Sequence, residues 1–289
     1  MTTSLSAPRR RQFIRKLKSD LMVSLTVLAT AVALLPLFLV LGYLASKGAT
    51  SVNWDFFTKM PEPVGQSGGG MANAIVGTFE LVGVACLIGV PIGVAAGIYL
   101  AENSGGALAQ AIRFAADVMM GVPTIVVGIF CYAIVVKPFG GFSALAGAIA
   151  LAVIMIPLVT RTAEEMILLV PHELREAALA LGVPRWRTTL MVVARTAVSG
   201  IATGVILAIA RVAGETAPLL FTAFGNRFWS VSPFQPISSL TMQVYTYAIS
   251  PFADWQRQAW AGALVLTAIV LALEFGVRWL TRGEARVAR

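Results

Sequence analysis

Two charges, Arg211 and Glu215, stand within the apolar stretch 190–223 of the 289-residue chain, and an arginine near the centre of such a stretch costs about 2.5–3.5 kcal/mol on insertion scales. Two explanations are open. On a helix the pair is spaced i,i+4, faces one side, and is placed for a structural ion pair. Alternatively, Arg211 faces a hydrated cavity and offers its planar fork to an oxyanion while Glu215 offsets part of the cost. Arg161, at the end of the stretch 142–160, has two readings as well: a cation on a solute route, or a side chain snorkelling to lipid headgroups. Glu80 is an intramembrane carboxylate that needs an arginine partner or a proton, and Asp117 is read as structural, near an interface. Other chemistry is excluded. His172-Glu173-Leu174-Arg175-Glu176 begins like a zinc-protease helix, but its fifth residue is Glu176 and the chain has one histidine, so a two-histidine zinc site cannot form. An intramembrane serine protease would need a histidine inside the bilayer. No lysine follows a glycine, so no phosphate-cradling G-x-x-x-x-G-K-[ST] loop exists and the chain is not an ATPase.

The other stretch with chemical character is Pro171 to Arg187, a polar and small-residue insert between apolar runs. Pro171 opens it, Glu173 suits a helix N-terminus, and Gly182 with Pro184 stops it, which predicts a helix over 171–181. At about 1.5 Å per residue that helix is about 16 Å long and cannot cross a bilayer, so it lies outside. Leu174, Ala177, Ala178 and Leu181 fall at i, i+3, i+4 and i+7, an apolar stripe with small residues on which a partner surface can dock.

The elements that position these residues are membrane spans. The composition is 57% hydrophobic and 12% charged with mean hydropathy +0.81, against about 25% charged in a soluble domain, which makes this an all-α polytopic membrane protein. Apolar runs cover 21–45, 71–100, 111–136, 142–160, 190–223 and 259–280, giving six transmembrane helices with the insert between helices four and five. Arg10-Arg11-Gln12-Phe13-Ile14-Arg15 is similar to an export signal, but the 25-residue run after it exceeds the about 7–15 of a signal and is read as the first span. Six of the 22 basic residues precede residue 20 and four follow residue 277, flanking spans, so the net charge of +8 is a topology signal and not a nucleic-acid footprint. Arg175, Arg185, Arg187 and Arg195 fall on the same side as the tails, which makes both termini and the insert cytoplasmic. Segments 47–70 and 226–255 then lie outside, the latter with Phe228, Trp229, Tyr245, Tyr247, Phe252 and Trp255 as an interfacial belt. The expected organisation is a basic N-terminal segment 1–20, a first helix and external loop 21–70, a five-helix core 71–281 that includes the insert 164–189, and a basic tail 282–289. Cys86 and Cys131 both lie inside apolar runs, which argues against a disulfide framework.

Glu176-Ala177-Ala178, three residues, then Gly182 resembles the EAA loop of ABC-importer permeases. Where that family continues to a Leu-Pro pair this chain has Ala194-Arg195, a departure at the bend into the next helix. Three more stretches are similar to the permeases of phosphate importers: Ile112 to Asp117 with Gly121 to Val126, Gly69 to Thr78, and the string from Arg211 to Leu220. The resemblance implies an ABC-importer type I permease fold and transport of inorganic phosphate. It also implies a second, similar permease, ATPase subunits that hold ATP and Mg on the cytoplasmic side, and an external phosphate-binding protein. The chain itself binds no cofactor and catalyses no bond cleavage on this reading. Arg211, Arg161 and Glu215 match the substrate pathway, and Glu176, Ala177, Ala178 and Gly182, with the flanking Leu174 and Leu181, match the ATPase-coupling surface. The alternatives are a permease for another oxyanion, sulfate or molybdate, since arginine recognises charge and fork geometry, and an ion-coupled secondary transporter. The expected location is the bacterial plasma membrane.

Overall fold

A computed structural model describes residues 9–287 apart from 65 and 67, with side chains described between 13 and 276. The ends of the two basic tails, 1–8 and 288–289, lie outside the described residues. The chain opens with α1 (Arg9–Gly48), 40 residues and therefore about 60 Å long, apolar on all sides beyond its basic start. Almost none of it is buried. Only its C-terminal end is attached, where Leu44 and Gly48 are covered and Tyr43 meets Trp260 edge-on at 5.3 Å. After a short α2 (Trp54–Thr58), started by the Asn53 side chain accepting the Phe56 N–H at 2.8 Å, the chain enters α3 (Ala72–Glu102).

The body is built on α3 against α6 (Ala144–Leu168). In α3 glycines recur every fourth residue at Gly89, Gly93 and Gly97, all on one face, and the facing α6 residues are Met155, Val159 and Ala163. A Cβ on Gly93 would stand 2.7 Å from that of Val159, and one on Gly97 2.6 Å from that of Ala163. Lipid tails are as apolar as leucine, so spans are held by close packing of this kind, with small residues letting backbones touch.

Between α3 and α6 the expected straight span 111–136 is instead α4 (Ala107–Gly121) and α5 (Thr124–Cys131), the latter continued as a π-helical turn to Val136, with the two halves bent by 106°. Pro123 causes this, because it disfavours helical backbone at Val122 and removes a backbone donor. The fourth span runs on past the expected 160 to Leu168, which puts Arg161 inside it.

After α7 (His172–Ala180) come α8 (Arg185–Arg187), a π-helical stretch Thr188–Val193, α9 (Ala194–Thr196) and α10 (Val198–Ala213), with a 68° bend before α10. The bend is thus made without a Leu-Pro pair. The wide π turns and a break at Ala197 supply it. The expected run to 223 stops at Ala213, because Gly214 caps α10 and Pro218 opens a separate α11 (Ala217–Leu220). Counting each bent pair as one, the described residues hold up to six spans, four of them unbroken.

The segment 226–255 differs most from its reading as an external loop. Ile237 to Gln243 is buried, and α12 (Leu240–Ala248) packs between the start of α3 and α13 (Ala253–Val287). Leu240 and Tyr247 join Met71, Ala74, Trp255 and Ala259 in a second core. Part of the aromatic belt lies at the surface, where Phe228, Trp229, Tyr245 and Phe252 are exposed, whereas Tyr247 and Trp255 stack on each other at 4.5 Å inside.

Candidate functional site

Arg211 occupies the last turn of α10, where a cation complements the negative helix end, and it is exposed on this chain. Glu215 lies beyond the cap at Gly214, so the i,i+4 geometry expected of one continuous helix does not exist. Its backbone carbonyl instead accepts the Thr241 hydroxyl at 3.0 Å. Among the described residues Arg211 has no ion-pair or hydrogen-bond partner, and its five donors face away from the chain's own core. Beside this break, Gly128 of α5 lies so close to Pro218 that a Cβ there would be 2.6 Å from the proline Cα. The broken span 107–136 thus meets the short helix that follows α10 backbone to backbone.

Arg161 is engaged. Its guanidinium reaches Asp117 on α4 at 3.0 Å and Glu164 one turn on at 2.9 Å, while Arg113 of α4 donates to the other Glu164 oxygen at 2.5 Å. Arg113 also donates to the carbonyls of Leu100 at 2.9 Å and Ser104 at 3.0 Å. Glu164 is almost wholly buried, 3% exposed, so two arginines and two carboxylates fasten α4, α6 and the C-terminal end of α3. Sequence reading passed over Glu164 and Arg113. The signals were present: Arg113 and Asp117 at i,i+4, Arg161 and Glu164 at i,i+3, each pair on one helix face. Because losing one member of a buried ion cluster strands its partners, Glu164→Gln should lower the unfolding free energy by about 3 kcal/mol. Thermal unfolding of the detergent-solubilised protein tests this, and an unchanged midpoint would contradict it. Glu80 is half-buried on α3 and has no hydrogen-bond partner among the described residues.

The insert folds as expected, with Pro171 as the residue capping α7 and not in its first turn. Gly182 adopts φ +78, allowing the Val183 N–H to reach the Ala178 carbonyl at 3.1 Å and the Gly182 N–H that of Leu179 at 3.0 Å. Arg175 ties the helix to Glu102 at the end of α3 and donates to the Ile167 carbonyl of α6. The predicted stripe divides. Ala178 is buried against its own chain, whereas Ala177 is exposed with Leu174 at 41% and Leu181 at 84%. Glu176 faces solvent at the edge of a cavity of about 530 Å³ shared with Glu102, Arg175 and Arg185.

A helical membrane body with broken spans, an unpartnered intramembrane arginine and a small helix held outside the spans is a permease, and its fold is that of ABC-importer type I permeases. A chain of the inward-facing methionine ABC transporter MetNI shares it with TM-score 0.56 and 18% identity, over 73% of this chain and 92% of that one. Residues 89–286 match the binding-protein-dependent transport system inner membrane components, and the chain belongs to that family. A relative described as phosphate transport system permease protein PstA from Yersinia pestis is 45% identical over 277 residues, 96% of this chain and 94% of its own length. Another of that description from Xylella fastidiosa is 48% identical over 239 residues, 82% and 83% of the two chains. A probable one from Methanocaldococcus jannaschii is 35% identical over 282 residues, covering 97% of this chain and 100% of the relative.

Proposed function

We propose that this chain is the transmembrane permease subunit of an ATP-driven importer of inorganic phosphate. On this reading it forms the pathway with a second permease, lies in the cytoplasmic membrane with both termini inside, and receives its solute from an external binding protein. ATP and its Mg are held by separate ATPase subunits. The observation that carries the reading is Arg211, a guanidinium left unpartnered beside two broken spans. A broken helix supplies polar backbone where it lines a cavity, and a guanidinium fork binds a tetrahedral oxyanion. High identity to the phosphate permeases of several organisms supports the choice of solute. Arg161, already held by Asp117 and Glu164, serves the inner end of that route as a fastening.

The mechanism follows from the connections of α7. When the ATPase pair closes, the exposed Leu174, Ala177 and Leu181 face moves with it, and the Arg175 bond to Glu102 carries the motion into α3 and, through the glycine seam, into α6. The spans rock against those of the partner permease, exposing Arg211 to one side and then the other. Reconstitution of the chain with its neighbouring permease, ATPase and binding protein should give ATP-dependent accumulation of labelled phosphate that excess sulfate or molybdate leaves unchanged. Accumulation of sulfate or molybdate instead would replace the solute, and uptake without any ATPase would replace the class.

A further inference from the structure

A cavity of about 190 Å³ opens between the turn at 224–227 and the buried helix α12. Two of its lining side chains are unsatisfied. Gln243 is 6% exposed and Tyr247 2%; the Gln243 side chain lies beside the Tyr247 hydroxyl, yet neither its amide nitrogen nor that hydroxyl makes a well-formed hydrogen bond. They sit at i,i+4 and so share one face of α12. The Ser238 hydroxyl donates to the Gln243 carbonyl oxygen at 3.2 Å, leaving the amide N–H groups free. Polar groups buried without partners are rare and costly, and a bound ligand is one way to satisfy them.

The third group is Arg227, exposed at the rim, its guanidinium 4.7 Å from the centre of the Trp255 ring that stacks on Tyr247. None of the described residues lining the cavity is acidic, and among the described residues Arg227 makes no ion pair. The site thus presents a fixed cation, an amide donor and a hydroxyl donor, a set suited to an anion and unsuited to a metal ion. Its walls are held in place. Asn73 donates to the Asn226 carbonyl at 2.8 Å, Asn226 donates to that of Pro236 at 3.2 Å, and Phe224 is kept at φ +62, a left-handed conformation rare for an aromatic residue. The volume equals that of about six waters at about 30 Å³ each, room for a tetrahedral oxyanion with part of its hydration.

We propose that this cavity is a receiving site for a tetrahedral oxyanion, inorganic phosphate in this transporter, held by Arg227, Gln243 and Tyr247 at the outer end of the chain before it reaches Arg211. The outer placement and the identity of the ion rest on the importer reading above. A receiving site keeps the ion from escaping outward between its release by the binding protein and its passage inward. Its loss therefore shows in coupling and not in the ATPase cycle.

The test uses the complete transporter in proteoliposomes with its binding protein, measuring labelled phosphate taken up per ADP formed. Arg227→Gln, and separately the pair Gln243→Leu with Tyr247→Phe, should lower that ratio about tenfold, the scale of one lost charge-assisted hydrogen bond, with binding-protein-stimulated ATP hydrolysis unchanged. Arg227→Lys should retain more of it. An unchanged ratio in both variants overturns the proposal. Loss of the stimulation itself, with more binding protein needed to reach half its maximum, also overturns it, since Arg227 then receives a carboxylate of the binding protein. Should the wild-type transporter accumulate sulfate or molybdate and not phosphate, the solute reading fails, and the same ratio measured with that ion still decides the site.

Discussion

Arg211→Gln is expected to reduce phosphate uptake by about a hundredfold, equivalent to about 2.7 kcal/mol, while the complex with the ATPase still assembles. Glutamine keeps the length and a pair of donors but loses the charge and the fork. Arg211→Lys keeps the charge alone and should recover a fraction of the activity. A structural arginine would behave otherwise: its loss would reduce protein abundance, and adding Glu215→Gln would restore both abundance and uptake. The geometry argues against that pattern, because α10 ends at Ala213 and the two side chains do not pair. The measurement is uptake by single and double variants at matched abundance. Wild-type transport by the double variant would remove Arg211 from the route.

Ala177→Trp is expected to abolish copurification of the ATPase and, with it, uptake, because forcing a large ring into a close contact costs about 1–3 kcal/mol or more. Ala177 is exposed on this chain, so the variant should insert and fold normally. Ala178→Trp provides the contrast. That residue is buried against the chain itself, so a ring there should destabilise the subunit before any partner is added. Comparing abundance with ATPase recovery for the two variants separates docking from folding. Full recovery of the ATPase by Ala177→Trp would locate the docking surface elsewhere.

The spans and the insert were legible because both announce themselves through composition and through Gly and Pro. The 3.6-residue pattern around Ala178 and the stop at Gly182 placed α7 to within a residue at each end. Breaks inside apolar runs were harder to see, since hydropathy is blind to them. Pro123 and the pair Gly214 and Pro218 carried the information, yet neighbouring helices often accommodate a proline within a span, as at Pro91 and Pro157, so a proline alone does not predict a break. α12 was hidden for the opposite reason. Its Thr, Gln and Tyr residues read as a wet loop, and only its contacts with α3 and α13 make it interior. The ion cluster around Glu164 joins residues about fifty positions apart in the chain, a closeness that spacing along one helix does not reveal.

The glycine seam between α3 and α6 also bears on how faithfully a push is delivered. Side chains that interdigitate act as springs, since each can change rotamer and absorb part of a displacement. Where Gly93 and Gly97 bring backbone against Val159 and Ala163, no such spring lies between the two spans. The joint has little backlash. On the proposed importer reading, a displacement of the end of α3 at Glu102, where Arg175 of α7 is attached, turns α6 with it, and a stroke delivered to α7 reaches the far end of the pair nearly undiminished.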